Sequence, residues 1–136
     1  SASSIRTVLQ KNGGRLGETG STTHLFYNCG VIHIDKKKCN DDEIFEIATN
    51  YGAKDCFHLE NIHEIITERE DFYKVKSAIE KKLDNLHYFG IEWRSLSYLD
   101  LNNQQNEKIV EILEALEELD DVQNIYTNVN LRNINI

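Results

Sequence analysis

The stretch VIHIDKKKCNDDEIFEIATNYGAKDCFHLENIHEIITEREDFYKVKSAIEKKL, residues 31–83, decides the fold. Val31 to Ile34 is rich in β-branched residues and reads as a strand. Lys36-Lys37-Lys38 follows as a loop, and Asn40-Asp41 caps a helix over roughly 41–51. Its buried face is Ile44, Ile47, Ala48 and Tyr51, and Gly52 is the stop signal. Two further strands, about 55–60 and 62–68, are joined by a turn around Asn61. Asp71 starts a second helix that ends near Leu83, with Phe72, Val75, Ile79 and Leu83 on one face. Past the quoted stretch, Gly90 precedes a strand from Ile91 to Leu99. Residues 31–99 therefore read β-α-β-β-α-β. That order places two helices on one face of a four-stranded antiparallel sheet, the ferredoxin-like arrangement.

The flanks do not belong to this unit, which is already complete. Residues 3–11 form a short helix with Ser3 or Ser4 as N-cap and Ile5, Val8 and Leu9 as its apolar stripe. Asn12-Gly13-Gly14 ends it. Thr23 to Tyr27 reads as a strand, separated from Val31 by a turn or kink at Asn28-Cys29-Gly30. After Asp100 a polar run, Asn102 to Asn106, leads to a helix striped by Ile109, Ile112, Leu113, Leu116 and Leu119. Glu107, Glu111, Glu114, Glu117 and Glu118 fall largely on its other faces. Asp120-Asp121 breaks it, and Val122 to Asn128 reads as a closing strand. The expected fold class is α/β (α+β), built from two small α/β domains. The ferredoxin-like domain, 31–99, is inserted into a discontinuous domain formed by 1–30 plus 100–136. That outer domain looks one strand short at its N-terminal side, as a truncated chain would be.

Composition narrows the function. Of 136 residues, 40% are hydrophobic and 28% charged, the balance of a globular protein. No apolar run approaches the roughly 20 residues of a membrane span, and Ser1 to Arg6 lacks a signal-peptide pattern. There is no Met, so the chain reads as a fragment of a longer protein, or a processed one. The expected location is the cytoplasm, or an organelle if a targeting segment is missing. Cys29, Cys39 and Cys56 are odd in number and lack CxxC spacing, which points to free thiols in a reducing compartment. The formal net charge is -8. Phosphate contacts require clustered Lys and Arg, so these residues alone make a poor nucleic-acid binder. Any grip on DNA or RNA should come from positive charge elsewhere in the full-length protein.

The most unusual segment is the glycine loop Asn12-Gly13-Gly14-Arg15-Leu16-Gly17-Glu18-Thr19-Gly20-Ser21. It reads as a helix stop followed by turns, or as a backbone nest for phosphate or an RNA-contacting loop. It is neither GxGxxG between a strand and the helix it opens nor a GK[ST] P-loop. Lys36, Lys37 and Lys38 form the only basic run and serve either as a phosphate contact or as a solubilising loop. His63-Glu64 starts like a zincin motif, but Thr67 stands where the second His belongs. His58 and His63 lie on neighbouring strands. They either come close enough to bind metal or, lacking Cys or Asp ligands at defined spacing, are ordinary surface or partly buried side chains. The second reading is taken, and no metal or cofactor is expected. No cysteine sits in a nucleophile turn, and the carboxylates lie along helix faces. The expectation is a binding protein and not an enzyme. A small-molecule-sensing module is the alternative, because ferredoxin-like units can bind amino acids between paired domains.

Three segments carry a specific resemblance: NGGRLGETGS (12–21), LFYNCGVIHID (25–35) and LEELDDVQNIYTNVNL (116–131). They resemble the YebC/PmpR family, which includes the mitochondrial translational activator of cytochrome c oxidase. DDEIFEIATNYGAKD (41–55) and EREDFYKVKSAIEKKL (68–83) fit the inserted domain of that family in order and spacing. Asn12, Gly13, Gly14, Leu16, Gly17, Gly20 and Ser21 match the family's loop, and Arg15 stands where Asn is common. Val122, Gln123, Asn124, Tyr126 and Asn128 match its closing strand. The resemblance implies a chain similar to the second and third of three domains, without the basic helical N-terminal one. It further implies a regulator of gene expression that acts through DNA, or through the ribosome in translation. The candidate partner-contacting residues are Asn12, Gly13, Gly14, Arg15, Gly17, Gly20 and Ser21 of the loop and Asn124, Tyr126 and Asn128 of the closing segment, joined by Lys36, Lys37 and Lys38 from the basic run.

Overall fold

The computed structural model describes residues 2–18 and 20–131. The chain divides into two compact units, one spanning Asn28–Trp93 and the other combining Ser1–Tyr27 with Arg94–Ile136.

The first unit contains α2 (Asp41–Asn50), β2 (Asp55–His58), β3 (Ile62–Glu68) and α3 (Phe72–Leu83). It shares β1 (Phe26–Asp35) and β4 (Tyr88–Ser95) with the second unit, because each strand runs across the division. The sheet order is β2-β3-β1-β4, with β3 antiparallel to both β1 and β2. This is the ferredoxin-like order, in which the two halves of the unit interleave. Strand alternation puts Ile32, Ile34 and Ile65 on one sheet face, where Ile44 and Ala48 of α2 and Phe72, Val75 and Ile79 of α3 cover them. The helix positions are spaced three, four and seven apart, so each helix turns a single apolar stripe to the sheet. Each large aliphatic side chain buried there contributes about 1.5–3 kcal/mol. Asn40 caps α2: its side chain accepts from the Glu43 N–H at 2.8 Å and donates to the Glu43 carboxylate at 2.7 Å.

Two readings of this unit are corrected. Asn28-Cys29-Gly30 is not a turn but the middle of a continuous ten-residue strand. Glycine stands there because of close packing. A Cβ on Gly30 would lie 2.5 Å from Phe72 Cδ1 and 2.9 Å from Phe72 Cβ, and it would also meet Thr67 Oγ1. The last strand begins at Tyr88, ahead of the expected Ile91, and ends at Ser95, ahead of the expected Leu99. Backbone pairing explains the early start, since the His87 N–H already donates to the His33 carbonyl at 2.9 Å. At the other end the Ser97 N–H turns back to Ser95 Oγ at 3.3 Å.

In the second unit α1 (Ala2–Lys11) packs against α4 (Asn103–Glu117). The facing residues Ile5, Val8 and Leu9, with Ile109, Ile112, Leu113 and Leu116, are only half-buried. Three expectations change here. The polar run 102–106 is not a lead-in but the start of α4. Asn102 accepts from the Gln105 N–H at 2.8 Å while the Gln105 side chain accepts from the Asn102 N–H at 3.2 Å, a reciprocal capping box. Residues 23–25 form a 3-10 turn, and the strand begins only at Phe26. Val122 to Asn128 forms no strand. A lone parallel bridge joins Leu99 to Val129, made by the Leu99 N–H to the Asn128 carbonyl and the Asn130 N–H to the Leu99 carbonyl, each 2.7 Å.

No helix among the described residues is long and apolar enough to cross a membrane.

Candidate functional site

After α4 the chain reverses through two tight turns. The Leu119 N–H donates to the Leu116 carbonyl at 3.1 Å and the Val122 N–H to the Leu119 carbonyl at 3.0 Å. The reversal lays residues 121–126 beside the ends of both helices of this unit. Together with Ile5 of α1 and Leu116 of α4 they line an open groove of about 620 Å³. Among the described residues its walls are Ile5, Leu116, Val122 and Ile125, with Gln123, Asn124 and Tyr126 as polar groups and Asp121 as a charged one. Such a lining suits an apolar side chain held by amide and phenol hydrogen bonds. Among the described residues that line it there is no Lys or Arg to hold a phosphate. Of the residues suggested for partner contact, Asn124 and Tyr126 line this groove. Asn128 does not; its carbonyl is committed to the bridge with Leu99.

The glycine loop divides into two parts. Its first half is a helix stop. Gly13, at φ 81°, lets the Gly14 N–H reach the Leu9 carbonyl at 2.7 Å and its own N–H reach Gln10 at 3.3 Å. This paired pattern closes the end of α1, and Asn12 adds a side-chain bond to the Val8 carbonyl at 2.8 Å. Arg15, Gly17, Gly20 and Ser21 are exposed beyond it, Gly20 at φ 78°. The Ser21 N–H turns to Glu18 at 3.1 Å. Thr19 lies outside the described residues.

Lys36, Lys37 and Lys38 belong to the other unit, between β1 and α2. Lys37 and Lys38 are exposed. Lys38 nonetheless has a structural use: its ammonium donates to the Leu83 and Asn85 carbonyls at 3.3 and 2.6 Å, at the C-terminal end of α3. That is where a positive charge offsets the helix dipole.

The histidines and cysteines fall into groups that spacing along the chain hides. His33 Nε2 lies 2.8 Å from the buried carboxylate of Glu64, with the Tyr88 ring 5.2 Å from the imidazole. His58 and His63 face each other across the β2–β3 register, and Asp41 from the first turn of α2 joins them. Asp41 was missed because it is seventeen residues before His58 in the sequence and belongs to a different element. All three cysteines are free thiols. Burial, then the Glu43 carboxylate that accepts its S–H at 3.5 Å, pushes the Cys39 thiol up to about 11. Burial, with a contribution from Asp41, raises Cys56 as well. Both shifts disfavour the thiolate, the nucleophilic form of the side chain.

A family model described as the second and third domain of TACO1/YebC matches residues 1–129. The chain belongs to the TACO1/YebC family. A relative from Pelagibacter ubique (strain HTCC1062), named a probable transcriptional regulatory protein, is 41% identical over 132 residues. The match covers 97% of this chain and 55% of that protein. The crystal structure of a conserved hypothetical protein from Aquifex aeolicus superposes with a TM-score of 0.83 at 35% identity. It covers 95% of this chain and 54% of that one. The chain thus spans about half the length of the relatives it matches. Within the family match fall the groove, the glycine loop and the lysine run alike.

Proposed function

We propose that this chain is the docking part of a non-enzymatic regulator of gene expression. It works as a transcriptional regulator, or as a ribosome-associated activator of translation. In this reading the positive charge that grips DNA or RNA is supplied by a part of the full-length protein outside these residues. The observation that carries the reading is the 41% identity, over nearly the whole chain, to a protein named a probable transcriptional regulatory protein. The net charge of -8 and the lack of Lys or Arg among the groove's described lining residues support the division of labour. Such a chain does not neutralise enough phosphates to hold a duplex at physiological salt. The groove instead offers a site for an apolar segment of a protein partner, with Asn124 and Tyr126 as the polar contacts.

Fluorescence anisotropy with duplex DNA and with single-stranded RNA at about 150 mM salt tests the assignment. The expected result is no saturable binding tighter than about 100 µM by these residues, the weak end of non-specific binding. Tight binding that falls steeply with added salt would place the grip inside the chain and overturn the proposed division. Co-sedimentation of the full-length protein with ribosomes, set beside its binding to promoter DNA, separates the translational from the transcriptional role.

A further inference from the structure

We infer that Asp41, His58 and His63 form a binding site for one divalent transition-metal ion, with zinc the best match to the donor set. The two imidazole Nδ1 atoms are 3.0 Å apart, and the Asp41 carboxylate oxygen is 3.6 Å from each. At 3.6 Å the carboxylate is too far for a hydrogen bond to either ring. All three donor atoms instead cluster within ion-binding distance of one another. The nearest point equidistant from them lies about 2.0 Å from each in their common plane, and points just out of that plane lie within the ~2.0–2.2 Å of Zn–N and Zn–O bonds. Two nitrogens and one oxygen suit zinc, cobalt or nickel, and do not suit magnesium or calcium, which take oxygen ligands.

The supporting shell is also in place. The His63 ring is fully buried, and its Nε2 lies 2.7 Å from the Cys39 carbonyl. A carbonyl only accepts, so Nε2 carries the proton and Nδ1 turns its lone pair toward His58 and Asp41. A second ring nitrogen anchored to a backbone carbonyl is how metal-ligating histidines are oriented. The β2–β3 register sets His58 directly opposite His63. The Asn40 cap then begins α2 one residue before Asp41. The positive end of that helix opposes a cation with roughly half a charge, but Asp41, Asp42 and Glu43 in its first turn outweigh it. The side chains of His58 and Asp41 are 28% and 58% exposed, so an ion can enter from solvent. It displaces the proton that His58 otherwise shares with His63, and it ties the β2–β3 hairpin to the start of α2. Three protein ligands leave a fourth position for water or a partner's side chain.

The test uses the chain in a chelator-free buffer, titrated with zinc chloride and, separately, cobalt chloride. One equivalent of zinc should bind by calorimetry and raise Tm, with EDTA reversing the shift. Cobalt should give the visible absorption bands of a tetrahedral site. His58→Asn and Asp41→Asn, at side chains open to solvent, should each weaken zinc binding at least tenfold and abolish the cobalt bands. His87→Asn should leave both unchanged, and magnesium should not compete. His63→Asn is a poor probe because that ring is buried in the fold. Absence of stoichiometric binding to the folded chain, or binding that survives both His58→Asn and Asp41→Asn, overturns the site. The three groups would then be a hydrogen-bonded histidine pair beside a solvated carboxylate.

Discussion

Replacing Gly30 with Ala probes the packing that the strand reading depends on. The new methyl would sit 2.5 Å from Phe72 Cδ1 and 2.9 Å from Phe72 Cβ. Neither Phe72, 3% exposed, nor Thr67, fully buried, has open space to move into. Thr67 is held further by its hydroxyl, which donates to the Glu68 carbonyl at 2.8 Å. Overpacking of this kind costs about 1–3 kcal/mol, and contact with a Cβ places the site at the upper end. Alanine loses less backbone entropy than glycine in a strand and returns about 0.5–1 kcal/mol. The expected net loss is about 2 kcal/mol, read as a lower urea midpoint at unchanged m-value. Trimming the neighbour should relieve it. Phe72→Leu is expected to couple to Gly30→Ala by about 1 kcal/mol in a double-mutant cycle. A loss below about 0.5 kcal/mol, or no coupling to Phe72, would refute the close approach and restore the turn at 28–30.

Three further outcomes are expected. Because the folded chain holds the Cys39 proton to about pH 11 while an unfolded thiol releases it near pH 8.5, Cys39 should react with iodoacetamide at pH 8 roughly a hundredfold more slowly native than in urea. The folded state binds the extra proton, so this contribution is full below the unfolded pKa. It is lost as pH rises toward about 11, and a pH series of urea melts should show stability declining across that window. Equal labelling rates in the two states would contradict the burial. Asn102→Ala removes one half of the α4 capping box and should cost about 1 kcal/mol, while Asn102→Asp should cost far less. If alanine proves as stable as the parent, α4 does not begin at Asn103.

The sheet-and-helix order of the central unit was legible because each element carries a periodic apolar pattern. Ile44 and Ala48, or Phe72, Val75 and Ile79, announce a helix face without reference to the rest of the chain. The resemblance in 12–21 and 116–131 likewise needed only residue identity, and the family match agrees with it. Glycine was the deceptive signal. Gly13 does end a helix as its type suggests, but Gly30, equally suggestive of a turn, is a space left for Phe72. Backbone freedom and absent bulk use the same residue, and only the packed neighbour tells them apart.

The segment 122–128 shows the opposite limit. Its Val, Ile and Tyr favour a strand locally, yet a strand needs a partner along its whole length, and among the described residues the pairing is a single bridge of Leu99 with Val129, just past the segment. The third candidate metal ligand, Asp41, and the groove were hidden for a related reason. Asp41, His58 and His63 come from three elements, and the groove walls come from α1, α4 and the turn beyond it. What local chemistry specifies is the type and facing of each element. Which side chains meet depends on strand register and helix docking, set by the burial of the whole core.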